Sequence, residues 1–213
     1  MFAGLSDRGI RTRDGRQWHA DNVLMATGAW TPALLPHLQE VMWATGQTVV
    51  QFKPIDPSAW RAPTFPVWAA DIGRTGWYGF PATAAGIVKV ANHGAGVRVN
   101  PLEPRAVPAD AEPVFRRFLR ATFPALAEAP LVASHQCLYC DTFDGDFWID
   151  HDPTEAGLIV AAGDSGPAFK FAPVLGAIIA DVVEGRPNLW AERFRNRARH
   201  TSAREGARAS TVT

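Results

Sequence analysis

Cysteine is scarce in this chain: only Cys137 and Cys140 occur among 213 residues, too few for a disulfide framework. Long apolar runs are missing as well, so no stretch reads as a membrane-spanning helix. A charged, then apolar, then small-residue leader is absent from the start, which points to a cytoplasmic protein. Lys plus Arg and Asp plus Glu both number 21, and that balance leaves no overall field to draw the chain to nucleic acid or an anionic membrane. Any partner must be recognised locally. No internal repeat and no low-complexity block occurs. What is present suits a globular chain, with 47% hydrophobic residues, eight Trp and twelve Phe, enough for one large or two small domains. The aromatics fit either a core or a pocket for a flat apolar ligand.

The most organised stretch is Gly157 to Gly185, GLIVAAGDSGPAFKFAPVLGAIIADVVEG. Leu158 to Ala162 reads as a strand, Gly163 to Gly166 as a tight turn, and Pro173 to Glu184 as a helix. Val174, Leu175, Ile178, Ile179, Val182 and Val183 form the helix's apolar face, with Gly185 and Pro187 as cap and breaker. The first N–H groups of a helix lack internal partners, so a turn feeding one can hold an electron-rich ligand atom. Lys170, between Phe169 and Phe171, adds a positive charge at that end, or simply snorkels from an ordinary βα unit.

Along the chain, Ile10 to Ala20 reads as a hairpin turned at Asp14-Gly15. Val23 to Ala26 follows as a buried strand, and Thr27, Gly28 and Ala29 allow a close backbone approach where it ends. Thr31-Pro32 then caps a short helix through Leu35. From Thr45 the period becomes two, with strands at Gln47–Phe52, Val67–Ala70, Gly76–Phe80 and Gly86–His93. Alternation puts Lys89, Ala91 and His93 on one face, the lysine and histidine roughly 13 Å apart at about 3.3 Å per residue. They could flank one flat ligand, or be a solvated lysine and a satisfied histidine. Asp110 to Phe123 is an amphipathic helix with Val114, Phe115, Phe118, Leu119 and Phe123 inward and Arg116, Arg117 and Arg120 on a solvated face. Strand character returns at Val132 to Tyr139 and at Phe147 to Ile149. Arg193 to Thr213 holds six Arg and little apolar material, the composition of a disordered tail.

Cys137-Leu138-Tyr139-Cys140 fits C-x-x-C, yet residues three apart in a strand point to opposite faces, which argues against thiol exchange. His135 and Cys137 share a face but lack further clustered ligands, so no metal site is expected. A buried inert cysteine, or one bonded to something other than cysteine, remains.

Four ordered motifs give the chain a resemblance to the C-terminal half of FAD-dependent amine oxidases of the sarcosine oxidase type, a group that includes N-methyltryptophan, pipecolate and fructosyl amino acid oxidases. VLMATGAWT from Val23 resembles the strand beside the flavin. Tyr78-Gly79-Phe80-Pro81, with Lys89 and then His93, resembles the family's YGFP–K–H strand pair. Cys137-Leu138-Tyr139 before Thr142, Asp144, Phe147, Ile149 and Asp150 resembles its C-x-Y segment, and Gly163, Ser165, Gly166, Phe169 and Lys170 its flavin loop. The resemblance implies FAD as cofactor, with Gly28, Gly163, Ser165, Gly166 and Lys170 near it and Cys137 as a covalent attachment point. It implies that Lys89 stabilises charge developing on dioxygen, that Tyr78, His93 and Tyr139 line the substrate side, and that Lys170 holds the substrate carboxylate. The reaction implied is oxidation of the secondary amine of an amino acid to an imine, with oxygen reduced to hydrogen peroxide.

The fold class expected is α/β (α+β): a partial FAD/NAD(P)-binding Rossmann-like domain, residues 1–36 and 150–192, with an inserted, mainly antiparallel-sheet substrate domain at 37–149 and a basic tail at 193–213. Two departures qualify the resemblance. Pro167-Ala168 stands where the family has His-Gly, and Asp164 replaces an apolar residue, which leaves the particular amine open. Nothing reads G-x-G-x-x-G after an N-terminal strand, so a missing half or partner chain is expected to supply the pyrophosphate cradle. The alternative is a catalytically silent fold remnant or interaction module that binds no flavin alone.

Overall fold

The computed structural model describes residues 2–6, 9–200 and 206–209. In chain order the elements are β1 Phe2–Ser6, β2 Gly9–Thr12, β3 Gln17–His19, β4 Val23–Met25, α1 Thr31–Leu34, β5 Met42–Phe52, β6 Trp68–Ala70, β7 Trp77–Phe80 and β8 Val88–Asn92. There follow β9 Val97–Arg98, α2 Ala111–Thr122, α3 Pro124–Ala127, β10 Leu131–Thr142, β11 Trp148–His151, β12 Leu158–Ala162, α4 Ala168–Val183, α5 Ala191–Phe194 and α6 Gly206–Ala209. They form two compact units, Met1–Ala44 with Asn100–Leu102 and Tyr139–Ser202, and Thr45–Val99 with Glu103–Leu138 and Ala203–Thr213. The division falls within β5 and β10, whereas the change from buried-strand and helix character to mostly antiparallel sheet places it near Pro36 and Asp150 in the sequence. A strand that continues from one unit into the next carries no breaker to mark the passage. No helix among the described residues is long and apolar enough to cross a membrane.

In the first unit β1, β2 and β3 form an antiparallel sheet, and β2 turns into β3 at Asp14-Gly15 with Gly15 at φ +85°. A second sheet has the order β11-β12-β4, with β12 antiparallel to β11 and parallel to β4. Alternation in β12 sends Leu158, Val160 and Ala162 into a core with Met25, Leu38, Met42, Cys140 and Trp148. Ile159 goes the other way, against Ile149, Ile178, Val182 and Phe194. Because both faces are covered, the strand reads as a continuous apolar run, and burying Ile159 or Val160 stabilises the unit by roughly 1.5–3 kcal/mol each. At the edge, β4 is buried on one face only: Met25 is in the core while Leu24 is 45% exposed.

Helix α4 starts five residues before the expected Pro173, which lies inside it. Phe171 meets Phe147 edge-on at 5.8 Å between ring centroids, a contact that holds the added first turn to the unit. Of the expected apolar face, Ile178 and Val182 are buried, but Val174 is 52% exposed. Thr31 does not cap α1, because the short 3-10 turn Gly28–Trp30 runs directly into the helix. It is instead buried with its hydroxyl 2.9 Å from that of Thr27.

The largest correction concerns the basic tail. Residues 193–200 are ordered against the β11 hairpin: Phe194 is buried, Arg193 forks onto Asp146, Arg197 forks onto Asp144, and the Asn196 N–H donates to Asp150 at 2.7 Å. Aspartates in the hairpin give these arginines individual partners, which net composition conceals. The expected disorder at 201–205 and 210–213 falls outside the described residues.

The second unit is a sheet of order β10-β5-β8-β7-β6, with β9 also on β5. Where registers are resolved the pairs are antiparallel. Val50, Phe52, Val88 and Val90 pack beneath Phe115 and Leu119 of α2, as the amphipathic pattern requires. Arg116 departs from the solvated face expected of it. It pairs with Glu112, donates to the carbonyls of Ala127 and Ala129 and lies 5.1 Å from the Phe52 ring centroid. At i, i+4 the glutamate is a visible partner, but the carbonyls ending α3 are not.

Candidate functional site

In the second unit Tyr78 lies on β7, Lys89 on β8 and Cys137 on β10, while His93 follows β8 directly. The His93 N–H donates to the Gly76 carbonyl at 2.7 Å, which carries the β7–β8 pairing one step further. Register places Tyr78 opposite Ala91 and Phe80 opposite Lys89, and on the other flank Gln51 opposite Lys89. Since paired residues share a face and alternate residues along a strand do too, Tyr78, Phe80, Gln51, Lys89 and His93 all lie on the face opposite the Val50–Val90 core. The Lys89 ammonium stands 4.9 Å from the Phe80 ring centroid and 6.0 Å from that of Tyr78.

Cys137 belongs to this face as well. A Cβ on Gly46 would lie 2.6 Å from the Gln136 amide, and Gly46 shares parity with the core-facing Val50 and Phe52. Alternation then turns the next residue, Cys137, to the lysine face. With β5 between β10 and β8, Cys137 is two strands from Lys89, roughly 10 Å, and lies beside Gly46 rather than Gln51, about five residues or roughly 17 Å further along; the thiol is half-buried.

The first unit holds the other expected residues. Because β12 runs parallel to β4 with Val160 opposite Met25, Gly163 and Gly28 both follow the carboxyl ends of adjacent parallel strands, where open α/β sheets present their crevices. Gly28 has φ +52° and Gly163 φ +74°. Ser165 at φ +43° and Gly166 at φ +102° keep the turn in left-handed geometry before α4. Three contacts pin the turn to β10: Ser165 N–H to the Cys140 carbonyl at 2.9 Å, Cys140 N–H to Asp164 Oδ1 at 2.6 Å and Thr142 N–H to Ser165 Oγ at 3.3 Å. Tyr139 lies on β10 beside these contacts. Lys170 is exposed in the first turn of α4, 5.1 Å from the Phe171 ring centroid.

Asp164 therefore has a structural task that its sequence position does not disclose. Burial pushes its carboxyl above the ordinary value, the Cys140 N–H opposes that, and the charge of Asp141 adds to it. Burial also pushes the Cys140 thiol up, to about 12, with Asp164 and Asp141 contributing further. A thiol so held is a poor nucleophile, which removes the chemical basis for exchange at C-x-x-C. No group of three or more His, Cys, Asp or Glu among the described residues could hold a metal ion. Gln51 was not singled out in the sequence, and Phe80 stood there only as part of the Tyr78–Pro81 motif, with no role of its own. Their signal was present in the alternation, but pairing across strands was needed to bring them to Lys89.

Residues 3–182 match the family model described as FAD dependent oxidoreductase. N-methyl-L-tryptophan oxidase of Salmonella heidelberg (strain SL476) is 34% identical over 182 residues, covering 83% of this chain and 47% of that protein. Monomeric sarcosine oxidase of Bacillus sp. (strain NS-129) is 30% identical over 179 residues, covering 81% and 46%. Among solved structures, a thermally stable mutant of fructosyl peptide oxidase superposes with a TM-score of 0.81 at 23% identity, over 94% of this chain and 51% of that one, a likeness of fold alone. Fructosamine oxidase (Amadoriase II) of Aspergillus fumigatus reaches 0.77 at 26% identity, over 88% and 45%. The chain thus spans about half the length of the curated relatives it matches.

Proposed function

Because the chain belongs to the FAD-dependent oxidoreductase family, we propose that it serves a flavin-dependent amine oxidase that converts the secondary amine of an amino-acid-like substrate to an imine. Dioxygen is the electron acceptor and leaves as hydrogen peroxide. When bound, FAD supplies the two-electron chemistry that links amine to oxygen. The observation that carries the reading is the lysine face of the second unit, where a cation and two aromatic rings cluster, with a histidine and a half-buried thiol on the same side of the sheet.

The residues fit the ring end of that cofactor. A Cβ at Gly28 would meet nothing within 4 Å, leaving open space at a strand's carboxyl end, and the left-handed Gly163–Gly166 turn follows the carboxyl end of the adjacent parallel strand. They do not include a G-x-G-x-x-G pyrophosphate cradle, which on this reading a missing half or a partner chain provides. Lys89 supplies a fixed positive charge toward reduced dioxygen. Cys137 is the covalent attachment point, and Tyr78, His93 and Tyr139 orient the amine. In the first unit, Gly28, Gly163, Ser165 and Gly166 are the flavin-contacting residues on this reading, and Lys170 holds the substrate carboxylate. Sarcosine, N-methyl-L-tryptophan and fructosyl amino acids are the substrates to try first, and the cytoplasm is the proposed compartment.

Stopped-flow kinetics on the flavin-loaded protein test this. Lys89→Met is expected to slow reoxidation by oxygen on the order of a hundredfold while amine oxidation keeps its rate; equal slowing of both half-reactions contradicts the role. Flavin should remain with the acid-precipitated pellet, and leave it in Cys137→Ala. If the protein takes up no flavin even when a dinucleotide-binding half is supplied, it is a silent fold module.

A further inference from the structure

We propose that Phe80 is the positioning residue for the Lys89 ammonium, an inference that rests on the reading of Lys89 above. The two are direct partners in the β7–β8 register, and the ammonium lies nearer the Phe80 ring than the Tyr78 ring, 4.9 against 6.0 Å. Tyr78 meets Phe80 edge-on at 6.1 Å, which fixes the plane of the ring under the cation. Phe80 is 38% exposed, so much of its surface is not used to fill the core. No carboxylate among the described residues forms an ion pair with Lys89.

That combination has a chemical consequence. A carboxylate would orient the lysine but neutralise it. A ring face attracts the ammonium through its quadrupole and leaves the full charge in place. A lysine that must present charge to an incoming small molecule is therefore better held by an aromatic than by an acid. Gln51, opposite Lys89 on the other flank, completes the row without adding charge.

The chain contains three lysines, Lys53, Lys89 and Lys170, so peptide mass mapping after brief acetic anhydride treatment reads each one separately and needs no flavin. Phe80→Leu should raise the acetylation rate of Lys89 relative to Lys53 by about two- to fivefold, the equivalent of an exposed cation–π contact. Phe80→Tyr should leave it unchanged, and Phe80→Trp should lower it. In the flavin-loaded protein Phe80→Leu should slow reoxidation by a similar factor at an unchanged reductive rate, with Phe80→Tyr restoring it. Identical Lys89 labelling in wild type, Leu and Trp variants overturns the proposal. If labelling shifts as stated but Lys89→Met reoxidises normally, the positioning stands and the oxygen role of Lys89 falls.

Discussion

Arg197 grips Asp144 with two prongs, Nε to Oδ2 at 2.6 Å and Nη2 to Oδ1 at 2.7 Å, and its guanidinium also lies 4.8 Å from the Trp148 ring centroid. The paired side chains are only 14% and 10% exposed. An ion pair at a bare surface contributes little, but removing one member of a shielded pair strands the other charge.

Arg197→Ala should therefore cost about 2–4 kcal/mol, read from the urea midpoint, and Arg197→Lys should recover only part of it because an ammonium cannot fork. A loss below about 0.5 kcal/mol would return residues 193–200 to the status of a loose tail.

Acid should weaken the first unit. Burial pushes the Asp144 carboxyl up, but hydrogen bonds and charge from Arg197, with the Asp146 N–H and Thr142 hydroxyl, overbalance it and hold the group below its ordinary value. Asp152 likewise is raised by burial and lowered more by Thr154 and His37, the histidine 2.6 Å away. A carboxyl depressed in the folded state contributes stability that is fully present above its unfolded value and disappears as pH falls through the folded one. Urea midpoints should be flat in their Asp144 and Asp152 contributions above about pH 5 and fall below about pH 4. Asp144→Asn should flatten that fall, and an unchanged slope would contradict the assignment.

The cysteines should differ under a thiol reagent at pH 8. Cys140 is fully buried with its thiol pushed up to about 12, whereas Cys137 is half-buried. One equivalent of a chromogenic disulfide should react in the flavin-free folded protein and two after denaturation. Rapid reaction of both, with a new intramolecular disulfide, would revive the exchange chemistry.

Gly163 and Gly28 separate two costs of a side chain. Both have positive φ, a conformation that costs a non-glycine residue roughly 1–2 kcal/mol. A Cβ at Gly163 would also lie 2.6 Å from Thr142 Cγ2 and 3.1 Å from the Trp148 nitrogen, whereas at Gly28 it meets open space. Gly163→Ala should lower stability more than Gly28→Ala, by at least about 1 kcal/mol. Equal losses would mean that Thr142 rotates aside freely.

Much of this arrangement was legible in the residues. Period-two runs marked β5, β7 and β8, and alternation alone put Lys89 and His93 on one face. The start of α4 was not legible, because proline is commonest in a helix's first turn and nothing near Pro173 advertises the Phe171–Phe147 contact. Arg116 and Arg197 were misread for one reason: their partners, the α3 carbonyls and Asp144, are distant in sequence or belong to the backbone. Cross-strand neighbours such as Phe80 and Gln51 required register, which a single strand does not specify.

The aromatic core of the second unit has an optical consequence. Trp77 stacks on Phe118 at 4.1 Å and 8°, and Trp68, Phe123, Trp60 and Phe65 continue the array through contacts of 5.0, 6.1 and 4.9 Å. Rings locked this closely in a chiral frame give strong near-ultraviolet dichroism only while the frame persists. Loss of that packing can then be followed in the near ultraviolet, separately from the loss of backbone ellipticity.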